Sequence, residues 1–152
     1  MTLPFIEYTS DTEQTEALGK ALAARMLSDT ALPSFVALYG DLGVGKTAFV
    51  RGFASEIAPG TTVRSPTFAL VNEYRAKPRP LFHFDMYRID TEDDLLSIGF
   101  YDYLDRNGIC LVEWSEKIPY ALPDAYLRVN IEKCNPETPN QRKITIEKVE
   151  DA

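Results

Sequence analysis

The chain has 152 residues, 45% of them hydrophobic and 26% charged, which predicts one compact domain over residues 1–152 with its own core. Its net charge of −7 argues against tight electrostatic binding to nucleic acid by this chain alone. The two cysteines, without a secretory segment, predict reduced thiols, and no apolar run has the length of a membrane span. We therefore expect a cytoplasmic protein with no membrane partner.

The first elements read as a helix, a strand and a second helix. An S-x-x-E sequence at residues 10–13 predicts a capping box that begins a helix. Behind it, small or apolar residues recur near helical spacing: Leu18, Ala21, Leu22 and Met26. The apolar run at residues 35–39 predicts a strand that is covered on both faces, and residues 46–57 predict the next helix.

The middle of the chain predicts two strands and a helix. Strand-like runs occupy residues 68–74 and 81–87, and the short linker between them is too short for a parallel crossover. We therefore expect this pair to be antiparallel. Thr91 then begins a helix, and apolar residues between 95 and 104 continue it toward Gly108.

The last third of the chain predicts three strands. Residues 109–112 are fully apolar and end at Glu113, and residues 126–131 and 144–149 have the pattern of two closing strands. Together these elements predict an α/β, three-layer, P-loop NTPase-like fold with a mixed parallel/antiparallel sheet.

Residues 40–47 read G-D-L-G-V-G-K-T, which matches the phosphate-binding pattern G-x-x-x-x-G-K-[ST] between a predicted strand and a predicted helix. Glycines permit positive φ and a close approach of the backbone, so that successive N–H groups form an anion site. Lys46 supplies charge for the β- and γ-phosphates, and Thr47 offers a hydroxyl to Mg²⁺. We predict an ATP site formed by Gly40, Asp41, Leu42, Gly43, Val44, Gly45, Lys46, Thr47 and Ala48.

Two carboxylates follow buried strands, at the edge of the sheet where α/β proteins bind ligands. Glu113 follows residues 109–112, and Asp85 follows residues 81–84. Either acid could hold the metal or orient the attacking water, and with Lys46 they form the predicted catalytic set. His83 shares a strand face with Asp85 by alternation, although a structural role is the commoner one for a single strand histidine.

Two further segments are candidates for contact with the nucleotide. Ser65 and Thr67 lie after the predicted helix, where switch segments of P-loop proteins are found, and their hydroxyls could reach a γ-phosphate or its metal. A rigid turn around Pro66 is the structural alternative. Trp114 follows Glu113 and is expected either near the nucleotide or in an aromatic contact.

Taken together, the segments resemble the TsaE family, the tRNA threonylcarbamoyladenosine biosynthesis ATPases. The matching segments follow the family's order: residues 40–47, 65–68 (S-P-T-F), 72–74 (N-E-Y), 83–88 (H-F-D-M-Y-R) and 111–116 (L-V-E-W-S-E). They cover about residues 10 to 132, and the last 20 residues carry no part of the resemblance.

The resemblance implies a bacterial-type ATPase that works with two partner proteins of an N6-threonylcarbamoyladenosine synthase. Those partners modify adenosine 37 of tRNAs that read codons beginning with A, so this chain meets tRNA only indirectly, and hydrolysis resets the complex between turnovers. By residue match, Thr47 and Glu113 would hold Mg²⁺ and Asp85 would help to position the attacking water. Thr12 would be a candidate contact of the adenine.

Two other functions stay open. A small-molecule kinase would need an acceptor site and a lid that supplies arginines, and only Arg64, Arg75, Arg79 and Arg88 lie in suitable places. A non-hydrolysing nucleotide-binding adaptor that controls assembly would differ from the ATPase only in whether its function requires cleavage of the γ-phosphate.

Overall fold

The computed structural model describes residues 1–40, 43–66 and 70–150. The predicted roles of Asp41, Leu42 and Thr67 fall outside these ranges. The strands and α-helices follow one another as β1 (Phe5–Thr9), α1 (Thr12–Ser28), β2 (Phe35–Tyr39), α2 (Lys46–Ile57), β3 (Val71–Tyr74), β4 (Leu81–Asp85), α3 (Glu92–Ser97), α4 (Phe100–Leu104), β5 (Ile109–Glu113), β6 (Ala125–Lys133) and β7 (Arg142–Glu150). Among these helices, none is both long enough and apolar enough to cross a lipid bilayer.

The strands form one sheet in the order β1-β7-β6-β2-β5-β4-β3. The centre of the sheet is parallel, because β2 pairs in parallel with β5 and β6, and β4 pairs in parallel with β5. The margins are antiparallel, where β3 pairs with β4, β7 with β6, and β1 with β7. The predicted mixed sheet and the predicted antiparallel pairing of β3 with β4 are both confirmed.

Helices cover the sheet on both faces, which confirms the predicted three layers. On one face, α1 and α2 pack on the central strands through a cluster of buried residues that includes Leu22, Met26, Phe49, Phe53, Val36 and Leu38. On the other face, α3 and α4 pack through a second cluster that includes Leu95, Phe100, Phe35, Phe84 and Val112. The strands between the two clusters are buried on both sides, which explains their continuous apolar runs.

Two glycines allow α1 and α2 to touch through their backbones. A Cβ atom added to Gly52 of α2 would lie 1.8 Å from the carbonyl oxygen of Glu16, and one added to Gly19 of α1 would lie 2.2 Å from the carbonyl oxygen of Phe49. Neither position can accept a side chain without separation of the two helices. The contact holds α2, whose first residues belong to the phosphate-loop motif, close against α1.

The substitution Gly52→Ala is expected to lower the free energy of unfolding by about 3 kcal/mol, because the helices must move apart to accept the methyl group. Urea denaturation of both proteins measures the difference. Lys20→Ala, at an exposed position of α1, is the matched control and is expected to stay within about 0.5 kcal/mol of the parent. A Gly52→Ala protein as stable as the control would contradict the close contact.

The predicted start of α1 is wrong by one residue. The N-cap is Asp11, whose side chain accepts a hydrogen bond from the backbone N–H of Gln14 at 2.8 Å. The side-chain oxygen of Gln14 in turn accepts from the backbone N–H of Ser10 at 2.7 Å. Aspartate and glutamine serve in these positions as well as serine and glutamate do, so two overlapping capping patterns compete in the sequence. Ala21 is exposed, and Ala23 takes its predicted place in the core.

Two other expectations differ from the structure. The helix predicted after Thr91 is broken into α3 and α4, because Gly99 adopts a left-handed conformation with φ of +72°. Strand β1 was not predicted, because this edge strand exposes most of its residues, including Ile6 and Tyr8, and lacks a clear burial pattern.

Candidate functional site

The carboxyl ends of three neighbouring parallel strands meet at one edge of the sheet. The register pairs Leu38 of β2 with Glu113 of β5, and Glu113 with Asp85 of β4. The glycine-rich loop leaves β2 at the same edge and leads into α2. The structure therefore brings the loop, Glu113 and Asp85 together, in the position where α/β proteins bind their ligands.

Three glycines of the loop have positive φ angles: Gly40 at 148°, Gly43 at 79° and Gly45 at 101°. At Gly40 there is also no space for a side chain, since a Cβ atom would lie 2.8 Å from both the carbonyl oxygen of Ile131 and the side chain of Val44. Gly45 is the N-cap of α2 and makes no side-chain capping bond. A helix start of this kind presents backbone N–H groups and the positive end of the helix dipole to an anion.

Lys46 is the first residue of α2, and only 6% of it is exposed. Its Nζ atom lies 3.7 Å from the centroid of the Trp114 ring, within the range of a cation–π contact. Trp114 has a left-handed backbone conformation directly after β5, and its ring also contacts Tyr87 at 4.9 Å between centroids. The structure thus places the loop lysine and the single tryptophan side by side.

Glu113 makes a short buried hydrogen bond with His83. The His83 Nε2 and Glu113 Oε2 atoms are 2.6 Å apart, with 1% of His83 and 8% of Glu113 exposed. Residues 83 and 85 of β4 and residue 113 of β5 lie on one face of the sheet, since side chains alternate along each strand. This pair was not predicted. His83 holds one carboxylate oxygen of Glu113 and thereby fixes the orientation of the carboxylate.

Asp85 is half-buried at the end of β4, and its Oδ1 atom accepts a hydrogen bond from the backbone N–H of Tyr87 at 3.0 Å. Burial is the main reason why the pKa of Asp85 lies above its ordinary value. The hydrogen bond from Tyr87 opposes this shift, whereas the nearby charge of Glu113 adds to it. A raised pKa makes a carboxylate a better acceptor of a proton near neutral pH.

The structure also describes three further predicted residues: Thr47, Ser65 and Thr12. Thr47 is exposed in the first turn of α2, and Ser65 lines a small cavity of about 160 Å³ together with Asp85. Thr12, at the start of α1, lines a cavity of about 240 Å³ with Val44, Gly45 and Ala48. The structure therefore brings the start of α1 to the loop.

One loop contact has no signal in the sequence. Arg142 of β7 also lines the cavity beside Thr12, and its guanidinium donates hydrogen bonds to the carbonyl oxygens of Val44 and Gly43. It lies 98 residues from Val44 along the chain and belongs to no recognisable motif. Its place in β7, which pairs with β6 on one side and with β1 on the other, brings it to the loop.

A parallel strand that passes through a glycine-rich loop into a helix, beside a second strand that ends in an acid, defines this chain as a P-loop α/β protein. The family described as "Threonylcarbamoyl adenosine biosynthesis protein TsaE" matches residues 9–144. The chain is therefore a member of the TsaE family, and the predicted resemblance is confirmed. The match extends beyond the segments that carried the resemblance, into the last 20 residues.

Individual relatives agree with this assignment. The chain is 39% identical to the tRNA threonylcarbamoyladenosine biosynthesis protein TsaE of Haemophilus influenzae, over 83% of this chain and 80% of that protein. It is 36% identical to the protein of the same name from Bacillus subtilis, over 90% and 81% respectively. The crystal structure of Bacillus subtilis YdiB has a TM-score of 0.75 and 32% identity, over 99% of this chain and 88% of that chain.

Proposed function

We propose that this protein is a Mg²⁺-dependent ATPase that acts in the biosynthesis of tRNA threonylcarbamoyladenosine. The observation that carries the proposal is the meeting of Lys46, Asp85 and Glu113 at one sheet edge, beside a loop whose glycines have positive φ. The pathway comes from the family, whose description and whose relatives' names refer to threonylcarbamoyladenosine.

The residues at this edge suit Mg²⁺. The carboxylate of Glu113 and the hydroxyl of Thr47 are oxygen ligands, which this cation prefers. Within residues 1–40, 43–66 and 70–150, no three His, Cys, Asp or Glu side chains form a group that could hold a metal. Mg²⁺ usually binds through one or two protein oxygens, substrate phosphates and water, so a larger cage is not needed. When bound, it would supply positive charge to the phosphate oxygens.

Each residue of the site then has one task. Lys46 and the N–H groups of the loop bind the phosphates, and Thr12 lines the cavity that we assign to the nucleoside. Asp85 positions the attacking water and accepts its proton, a role that its raised pKa supports. The segment that contains Ser65 and Thr67 acts as the switch that senses the γ-phosphate.

The ATPase works with two partner proteins of a threonylcarbamoyladenosine synthase and resets that complex by hydrolysis. The net charge of −7 supports contact with tRNA through the partners rather than directly. The partners respond to the conformation of the switch segment, which differs between the ATP-bound and the product-bound state. We therefore expect slow hydrolysis by the chain alone and faster hydrolysis with the partners.

Glu113→Gln is expected to weaken ATP binding at least about tenfold when Mg²⁺ is present and to leave metal-free binding nearly unchanged. Glutamine keeps the size of the side chain and an oxygen that can accept from His83, but it loses the negative charge. The emission of Trp114 is a suitable reporter for ATP titrations, since its ring contacts Lys46.

Calorimetric titration of the parent protein checks the same affinities without the reporter. An equal loss with and without Mg²⁺ would mean that the substitution damages the fold rather than a metal site. A parent protein that binds no ATP in either titration would contradict the proposed function itself.

A further inference from the structure

Arg142 connects the β6–β7 hairpin to the backbone of the phosphate loop. Its Nε atom donates to the carbonyl oxygen of Val44 at 2.8 Å, and an Nη2 proton is directed to the carbonyl oxygen of Gly43 at 3.4 Å. The Nη1 atom donates to the carbonyl oxygens of Pro139 and Gln141 at 2.7 and 2.9 Å. One guanidinium therefore links two consecutive carbonyls of the phosphate loop to the segment that connects β6 and β7.

These contacts bear on the direction of the loop's N–H groups. In a planar trans peptide, the carbonyl and the N–H point in opposite directions. The carbonyl of Gly43 shares its peptide plane with the N–H of Val44, and the carbonyl of Val44 shares its plane with the N–H of Gly45. A donor that holds both carbonyls therefore turns both N–H groups away from Arg142 and toward the same side of the loop. Successive N–H groups that point to one side are what a loop of this kind uses to bind phosphate oxygens.

The loop needs such support because its glycines restrict the backbone very little. Gly43 carries one of the held carbonyls and Gly45 follows the other, and their φ angles of 79° and 101° are ones that few other residues would maintain. Arginine suits this position, since its planar guanidinium is always charged and carries several donors in a rigid arrangement. A loop that already has its bound conformation loses less entropy when the ligand arrives.

We propose that Arg142 is a positioning residue, which keeps the phosphate loop in its phosphate-binding orientation before any nucleotide arrives. The identity of the ligand rests on the proposed function, whereas the orientation of the free loop does not. The hairpin that carries Arg142 is thereby part of the binding site, even though it contributes no motif residue.

Hydrogen exchange of the free protein tests this role without a ligand. The amide of Phe49 donates to the carbonyl oxygen of Gly45 at 3.3 Å, where the loop enters α2. In Arg142→Gln, this amide is expected to exchange at least about tenfold faster than in the parent, because the loop loses a charged hydrogen-bonding partner. The amides of β6 and β7 are expected to exchange as in the parent. Arg142→Lys is expected to give an intermediate rate, since one ammonium cannot reproduce the planar fork.

Arg128→Gln is the matched control, because this arginine of β6 pairs with Glu147 at 2.7 Å and lies on the same hairpin. It is expected to leave the exchange rate of the Phe49 amide unchanged. Unchanged exchange of the Phe49 amide in Arg142→Gln would overturn the proposal. Faster exchange throughout β6 and β7 would overturn it as well, since Arg142 would then support only the sheet.

Titration with ATP adds the functional consequence. Arg142→Gln is expected to bind ATP about tenfold more weakly than the parent, with Arg128→Gln equal to the parent. An unchanged ATP affinity together with faster exchange of the Phe49 amide would overturn the claim that the orientation of the loop matters for binding. If the parent binds no ATP, the proposed function fails, while the exchange experiment still decides whether Arg142 orients the loop.

Discussion

Lys46→Ala is expected to abolish measurable ATP hydrolysis and to weaken ATP binding by about a hundredfold or more. The lysine is almost fully buried at the start of α2, so its charge acts in a poorly solvated place. The neighbouring loop donors are neutral backbone groups, which cannot replace a cation next to the phosphates. Loss of one member of a buried charged pair costs about 2–5 kcal/mol, which corresponds to this range of affinity. Calorimetric titration with ATP and Mg²⁺ measures the loss.

The control for this variant is Lys117→Ala, at an exposed position of the short 3₁₀ helix that follows Trp114. It is expected to bind ATP as the parent does. Thermal unfolding of both variants without nucleotide shows whether each is folded. An ATP affinity of Lys46→Ala equal to that of the parent would remove the lysine from the phosphate site.

Asp85→Asn is expected to reduce ATP hydrolysis by a factor of about 10²–10⁴ while ATP binding stays close to that of the parent. The amide keeps the oxygen that accepts from the backbone N–H of Tyr87, but it cannot accept a proton from water. Single-turnover hydrolysis and ATP titration measure the two quantities separately. A variant that hydrolyses ATP at the parental rate would contradict the role of Asp85.

The same substitution is expected to raise the free energy of unfolding at neutral pH. The pKa of Asp85 is raised in the folded protein, mainly by burial, so the native state binds this proton more tightly than the unfolded chain does. The stability that the protonated carboxyl contributes is therefore fully present below the unfolded pKa of about 3.9 and is lost as the pH rises through the folded value. Asparagine carries no charge at any pH, so the variant does not lose this stability as the pH rises.

Urea denaturation of both proteins at pH 7 and near pH 4 measures this effect. The advantage of Asp85→Asn over the parent is expected to be larger at pH 7. An advantage that did not depend on pH would have another origin than the charge.

In an assay of tRNA modification, full support by a variant that binds but does not hydrolyse ATP would favour the adaptor over the ATPase.

The central part of the fold could be predicted because its signals are local. The run from Phe35 to Tyr39 is apolar, a glycine-rich loop follows it, and α2 begins at Lys46 as expected. Elements at the margin depend on the rest of the structure. Strand β1 is held in the sheet by its pairing with β7, which no local pattern predicts. The break at Gly99 depends on a backbone conformation that the pattern of apolar residues does not reveal.

The residues of the site also divide into those with a local sequence signal and those that depend on distant parts of the chain. Glu113 and Asp85 could be proposed because each follows a buried strand, and parallel strands bring their carboxyl ends together. The bond between His83 and Glu113 depends on the register of two strands, and the bonds of Arg142 depend on a hairpin far along the chain. Neither contact is encoded in a segment short enough to be read as a motif.

Steady-state ATP hydrolysis by this chain, measured with and without the two synthase partners, is the decisive experiment for the proposed function. Lys46→Ala supplies the blank in both conditions. The proposed function predicts slow hydrolysis by the chain alone, a clear increase when both partners are added, and loss of that increase in Lys46→Ala. A rate that is the same with and without the partners would contradict a partner-dependent ATPase.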